Sequence, residues 1–280
     1  MKIIPSAAVE AAVCDALLAA QYNMEPALCH ALECAADRET GACARHVLTQ
    51  IAQNYEIARA EKIAVCQDSG MSIVFAQVGQ SVQIDGDFEA AVNAGVRNAH
   101  KKGYLRTSVV RDPLFDRVNT GDGCPAILHT RLVPGEQLRL TVMAKGFGSE
   151  NCSRMHLFVP ADPLSTIEDF IVNTVLDAGS KSCPPVIVGV GVGGTIERAA
   201  LLAKWATGRS VGEHNPLAKY AELEQRLLAA INRSGIGPGG LGGRTTALAV
   251  NIEAAPTHIA SIPVVVNLCC HASRHHTVTL

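Results

Sequence analysis

The chain has 280 residues, 48% of them hydrophobic and 18% charged, with 24 Lys and Arg against 26 Asp and Glu for a formal charge of −2. This is the composition of a globular protein and excludes a disordered or fibrous chain. The cations form no long basic run, so no nucleic-acid partner is expected. The apolar stretches are broken by Gly, Pro or charge short of the about 20 residues that a membrane-spanning helix needs, so no membrane is expected either.

The N-terminus superficially resembles a signal peptide, but Pro5 interrupts its apolar start and Glu10 and Asp15 fall where the uncharged core should be. It reads as the first amphipathic helix of a cytoplasmic protein. From Ser6 to about Tyr55 the pattern is helical, with Val9, Val13 and Leu17 on one face and Leu28, Leu32 and Ala35 on another. Residues 1–60 are therefore expected to form a helical N-terminal layer. Ser72 to Val78 reads as an apolar strand, and Asp87 as the N-cap of a helix running to about Lys101.

Pro125 to Leu132 and Gln137 to Ala144 read as two strands joined at Pro134-Gly135, which predicts an antiparallel hairpin. Ser165-Thr166-Ile167-Glu168 has the form of a capping box opening a helix to about Ala178. Val186 to Val190 reads as a strand, followed by glycines and a helix from about Thr195 to Trp205. A helix from Pro216 to about Asn232 precedes the run Ser234 to Gly243, too rich in glycine for a helix or strand interior. Thr245 to Ile252 and Ile262 to Asn267 complete the strands. The expectation is one mixed α/β (α+β) domain over residues 1–280, a mixed sheet with flanking helices and Gly-rich loops.

Residues 189–194, GVGVGG, satisfy G-x-G-x-x-G. A dinucleotide site would also want an acidic residue about 20 positions on, at the end of a second strand, and Glu213 lies instead in a polar loop. A tight strand-to-helix turn explains these glycines better.

Ten cysteines stand in a chain without an export signal, which points to thiols rather than disulfides. No C-x-x-C is present, which argues against a zinc ribbon or a thioredoxin-like pair. Cys66, Cys183 and Cys270 sit in polar or Gly/Pro-bounded contexts at the ends of elements. Cys14, Cys29 and Cys34 occupy amphipathic helical positions and are assigned to packing or surface, whereas Cys124, Cys152 and Cys269 stay unassigned. Three dispersed thiolates suit a four-iron cluster with one iron open to substrate, since an electron-transfer cluster normally uses four cysteines. Gln67, Asp68, Arg106, the stretch Gly146 to Asn151, and His258 are polar groups in similar loop settings that could serve an anionic substrate.

Seven ordered segments carry a resemblance: CQDSG (66–70), LRTSVVRDPL (105–114), NTGDG (119–123), KGFGSENCS (145–153), CPPVIVGVGVGGTIE (183–197), GIGPGGLGG (235–243) and PTHIASIPVVVNLCCHASRH (256–275). Together the chain resembles the α subunit, or N-terminal catalytic region, of the class I iron–sulfur hydro-lyases, the family of fumarate hydratase and L-tartrate dehydratase. That resemblance implies a [4Fe-4S] cluster with one open iron, held by Cys66, Cys183 and Cys270. The family pattern Cys-x-x-x-Arg selects Cys270, paired with Arg274, over Cys269. Gln67, Asp68, Arg106, Gly148 and His258 match positions expected around a dicarboxylate, with Asp68 and His258 as catalytic groups. Arg, imidazole and backbone N–H groups are the donors that carboxylates need.

The Lys-Gly-x-Gly-Ser-Glu-Asn stretch is more similar to fumarase α subunits, so reversible hydration of fumarate to L-malate is the first expectation. L-tartrate dehydration, or a non-catalytic iron–sulfur sensor subunit, is the alternative. Ser69, Phe147 and Cys152 depart from the family pattern and bear on substrate identity. Family enzymes carry a further, smaller β region, and ten residues after Cys270 leave no room for it here. A β subunit that supplies the carbon-proton base is therefore an expected partner.

Overall fold

The computed structural model describes residues 1–280, which form two compact units. The elements in chain order are β1 (Lys2–Pro5), α1 (Ser6–Tyr22), α2 (Pro26–Arg38), α3 (Ala42–Glu61), β2 (Met71–Gly79), β3 (Val82–Asp85), α4 (Phe88–Lys102), β4 (Ile127–Val133), β5 (Leu138–Lys145) and the one-turn α5 (Phe147–Glu150). There follow β6 (Arg154–Phe158), α6 (Leu164–Ala178), β7 (Val186–Val192), α7 (Ile196–Ala206), α8 (Ala218–Asn232), β8 (Ala247–Ala254), β9 (Ile262–Cys269) and β10 (Arg274–Thr279). This is the mixed α/β class that the pattern of elements predicts. Of the helices expected over residues 1–60, α1 belongs to the first unit, α2 to the second, and α3 crosses the boundary at 54/55.

The first unit comprises residues 1–24, 55–147 and 274–280. Its main sheet has the order β10-β5-β2-β4, with β5 antiparallel to both neighbours and β4 parallel to β2. Val9, Val13 and Leu17 of α1 and Val92 and Val96 of α4 pack against Val74, Leu138, Leu140 and Val142, all of them out of water. Each such side chain contributes about 1.5–3 kcal/mol of burial. Asp87 caps α4 as expected, its carboxylate accepting the Ala90 N–H at 2.9 Å.

The expected hairpin of the strands near 125–132 and 137–144 does not form, because β2 lies between β4 and β5. The turn at Pro134-Gly135 passes over the end of β2, where Gly79 N donates to Gln137 O and Gln80 N to Val133 O, both at 2.9 Å. Burial decides the order: β2 is buried along most of its length and needs neighbours on both sides, whereas β4 is largely exposed and takes the sheet edge. The polar C-terminal segment, for which the sequence pattern predicts no element, forms the other edge strand, β10.

The second unit comprises residues 25–54 and 148–273, with the sheet order β6-β9-β7-β8. β7 runs parallel to β8 and antiparallel to β9. Along β7 the alternation is strict: Val186, Val188 and Val190 enter the core made with Ile171 and Val175 of α6 and Leu227 and Ile231 of α8. Gly189 and Gly191 face α7, where a Cβ would come within 2.2 Å of Ala203 O and 2.0 Å of Ala199 O. These two glycines are therefore demanded by close helix–strand packing. The capping box at Ser165 is not used: the N-cap is Pro163, two residues earlier, extended and with no side-chain cap.

Candidate active site

In the first unit the loop Cys66–Gly70 is tied down by four hydrogen bonds from outside it. The Asp68 carboxylate accepts two backbone N–H groups, Gly70 on Oδ1 at 3.0 Å and Phe147 on Oδ2 at 2.8 Å. The buried Arg274 guanidinium donates through Nη1 to Asp68 O and, at 3.2 Å, to Gln21 Oε1. Gln21 Nε2 in turn donates to Ser69 O at 2.9 Å, and Ser69 Oγ accepts Arg106 N at 3.0 Å. The motifs at 66–70, 105–108 and 145–147 are thus brought together. The Arg106 and Gln67 side chains remain exposed, while the half-buried Cys66 thiol lies 3.4 Å from Gln67 Oε1.

In the second unit the register places Cys183 and Cys270 at one end of the sheet. Ile187 of β7 lies opposite Cys269 of β9; Cys183 precedes β7 on that side and Cys270 follows β9. Cys269 is buried and Cys270 half-buried. Cys183 is exposed, in left-handed conformation at φ 54°. It closes a 3₁₀ turn, Gly179–Ser182, against which the Gly-rich run packs: Gly239 N donates to Pro184 O at 2.8 Å. Gly240 at φ 75° sits so near this turn that a Cβ would meet Ser180 Cβ at 2.5 Å. The exposed Gly148 lies beside the same turn, with Lys181 O 3.6 Å from where a Cβ would stand.

His258 stands elsewhere. It precedes β9 at the end where Val192 faces Val264, so the length of β7, roughly 20 Å at 3.3 Å per residue, separates it from Cys183 and Cys270 of the same chain. Its ring is exposed, and Nδ1 accepts the Ala260 N–H at 3.2 Å, which leaves the neutral ring's proton on Nε2. With Thr195, Glu197, Arg198 and Thr257 it lines an open cavity of about 540 Å³.

Residues 10–279 match the family model described as fumarate hydratase (fumerase). The chain belongs to the fumarate hydratase family. A protein of Methanocaldococcus jannaschii, provisionally named L(+)-tartrate dehydratase subunit alpha, is 36% identical over 88% of each chain. The L(+)-tartrate dehydratase subunits alpha of Escherichia coli strains UTI89 and K12 are 32% and 31% identical over 86% of this chain and 80% of theirs. The fumarate hydratase family and these relatives make the chain a hydro-lyase.

The remaining thiols of this hydro-lyase are distributed as packing and surface groups. Cys14 and Cys124 lie in the first core and Cys152 in the second, and burial pushes the Cys14 and Cys124 thiols above their ordinary pKa. Cys29 and Cys34 are half-buried and Cys43 is exposed. No group of three His, Cys, Asp or Glu side chains is gathered as the shell of a single metal ion. Thiolates on separate irons of a cluster lie farther apart than the ligands of one ion, so the relevant test is donor chemistry.

That chemistry fits. Cys66, Cys183 and Cys270 are the thiols that lie in connecting segments, between helices and strands, and outside both cores. Next to the Cys66 loop, the buried Arg274 also carries an Nε with no acceptor in the chain, a donor awaiting a negatively charged neighbour. Sequence reasoning used Arg274 to choose between two cysteines and missed its bond to Asp68 O. Within the stretch 146–151 expected to serve an anionic substrate, the Glu150 carboxylate instead accepts Lys204 Nζ and, at 2.9 Å, Asn267 Nδ2, steadying the Gly-rich stretch after Lys145.

Proposed function

We propose that this chain is the α subunit of a [4Fe-4S]-dependent hydro-lyase that interconverts fumarate and L-malate, with Cys66, Cys183 and Cys270 as the cluster ligands. The observation that carries this reading is the register that sets Cys183 and Cys270 at the same sheet end, beside the braced Gly-rich turn. The family match over residues 10–279 supports it across the whole chain. Both units then work as one hydro-lyase domain. When bound, such a cluster supplies a Lewis-acidic iron without a protein ligand, able to polarise the hydroxyl that leaves from malate.

The chain's own residues bind and orient the substrate. Arg106 and Gln67 present exposed donors to a carboxylate, and Gly148 leaves backbone open at the turn that carries Cys183. Asp68 spends both oxygens on the Gly70 and Phe147 N–H groups, so it holds the loops in register and fixes the electrostatics of proton transfer. His258 offers Nε2–H to a second carboxylate. Because it lies a strand's length from Cys183 and Cys270 in its own chain, that role belongs to the site of a second copy.

The carbon-proton base is assigned to a β subunit, in keeping with relatives named as alpha subunits. No helix is long and apolar enough to cross a membrane, and the cytoplasm is the proposed location. L-tartrate is the second substrate reading, favoured by those relatives' names.

The test is anaerobic reconstitution of the chain alone and co-expressed with its β subunit, followed by a panel of L-malate, fumarate and L-tartrate. Fumarate formation from malate that requires the β chain is expected. Turnover of tartrate with indifference to malate would move the assignment to the second substrate, and robust malate dehydration by the chain alone would overturn the split-subunit reading.

A further inference from the structure

The second unit holds a separate cavity of about 320 Å³ lined by residues of α2, α8 and the start of β8. Its lining joins the apolar Ala31, Leu228 and Leu248 with Arg38 and Arg244. No acidic side chain lines it. Glu39, which follows Arg38, is buried and is not part of the lining; its Oε2 accepts the Arg244 N–H at 2.7 Å and its Oε1 the Thr40 N–H at 3.1 Å. Asn232 is already committed, donating to Ala247 O and accepting Thr246 N and Ala247 N.

The lining thus offers two arginines and no carboxylate, and neither guanidinium is in an ion pair with Glu39, whose carboxylate is taken up by backbone N–H groups. Arg38 uses Nε on Cys34 O of its own helix and keeps its two terminal nitrogens available, and Arg244 takes no side-chain partner from the chain. We propose that this cavity is a binding site for a small phosphate monoester, its dianionic group clamped between Arg38 and Arg244 and its organic body resting on Leu228 and Leu248. Two cations match a dianion, and the planar forks of two arginines suit phosphate oxygens better than any other residue pair. The volume lies at the lower end of that of small-molecule pockets. Arg244 directly follows the Gly-rich run that packs on the Cys183 turn, so an occupant would be attached to a functional loop.

The full chain is titrated calorimetrically with phenyl phosphate, inorganic phosphate and benzoate. Phenyl phosphate is expected to bind most tightly, and Arg38→Gln and Arg244→Gln should each weaken it about tenfold, the loss of one charge-assisted fork. Arg139→Gln, on β5, should leave the affinity unchanged. Both cavity arginines are exposed, so the variants should keep the wild-type melting temperature, which is measured alongside. Phenyl phosphate affinity that is unaltered in the Arg38→Gln, Arg244→Gln double variant overturns the site. Benzoate binding more tightly than phenyl phosphate overturns its assignment to phosphate.

Discussion

The position of His258 yields a test that distinguishes action within one chain from action across two. Through roughly 20 Å of water, two unit charges interact by only about 0.2 kcal/mol, before screening weakens this further. A hydrogen bond from His258 Nε2 directly to a substrate carboxylate is worth about 1.5–3 kcal/mol, and its loss in His258→Asn should lower kcat/KM about 10- to 150-fold with the cluster intact. The informative experiment combines His258→Asn with Cys270→Ser on separately tagged copies, purified through both tags.

If His258 serves its neighbour, each mixed dimer joins one site that has lost both residues to one that keeps both, and about half of wild-type activity returns. If His258 acts in its own chain, no intact site exists in the mixture, and activity stays at or below half of that of His258→Asn. That second outcome would refute the reasoning from sheet register.

Alkylation of the cluster-free chain at pH 8 should modify Cys43 early and Cys14 and Cys124 last, because burial raises their pKa and leaves less thiolate at any pH; mass spectrometry of peptides against time gives the order. Asp87→Ala should cost about 1 kcal/mol by removing the α4 cap, read as a fall in the denaturant midpoint at constant slope. Gly191→Ala should destabilise by at least about 2 kcal/mol, since its Cβ would overlap the α7 backbone. A melting temperature within a degree of wild type would contradict that packing.

The apolar strands and amphipathic helices are legible because burial writes itself as periodicity: β2, β7, β9, α4 and α8 all lie within a few residues of where the pattern predicts them. Polar edge strands are not. β6 and β10 are held by one neighbour each and partly face water, so RMHLF and RHHTVT carry no clear alternation. The β4–β5 arrangement departs from the predicted hairpin because a short Pro-Gly connection suggests pairing, whereas the demand of β2 for two neighbours is a property of the whole sheet.

Within the candidate site, the cysteine-bearing loops stood out by their Gly, Pro and polar surroundings. Asp68 was visible as a functional carboxylate, but its two backbone donors come from Gly70 and from Phe147, the latter far along the chain. The separation of His258 from Cys270, only 12 positions on in sequence, follows from β9 running between them, and residue spacing in a motif does not reveal which end of a sheet each flank occupies.

The central claim is tested most directly by measuring iron and acid-labile sulfide per chain after anaerobic reconstitution of the wild type and of Cys66→Ser, Cys183→Ser, Cys270→Ser and Cys269→Ser. The account predicts about four of each in the wild type and in Cys269→Ser, and loss of the cluster in the other three. Full iron and sulfide in Cys183→Ser, or loss in Cys269→Ser with retention in Cys270→Ser, would contradict the ligand set.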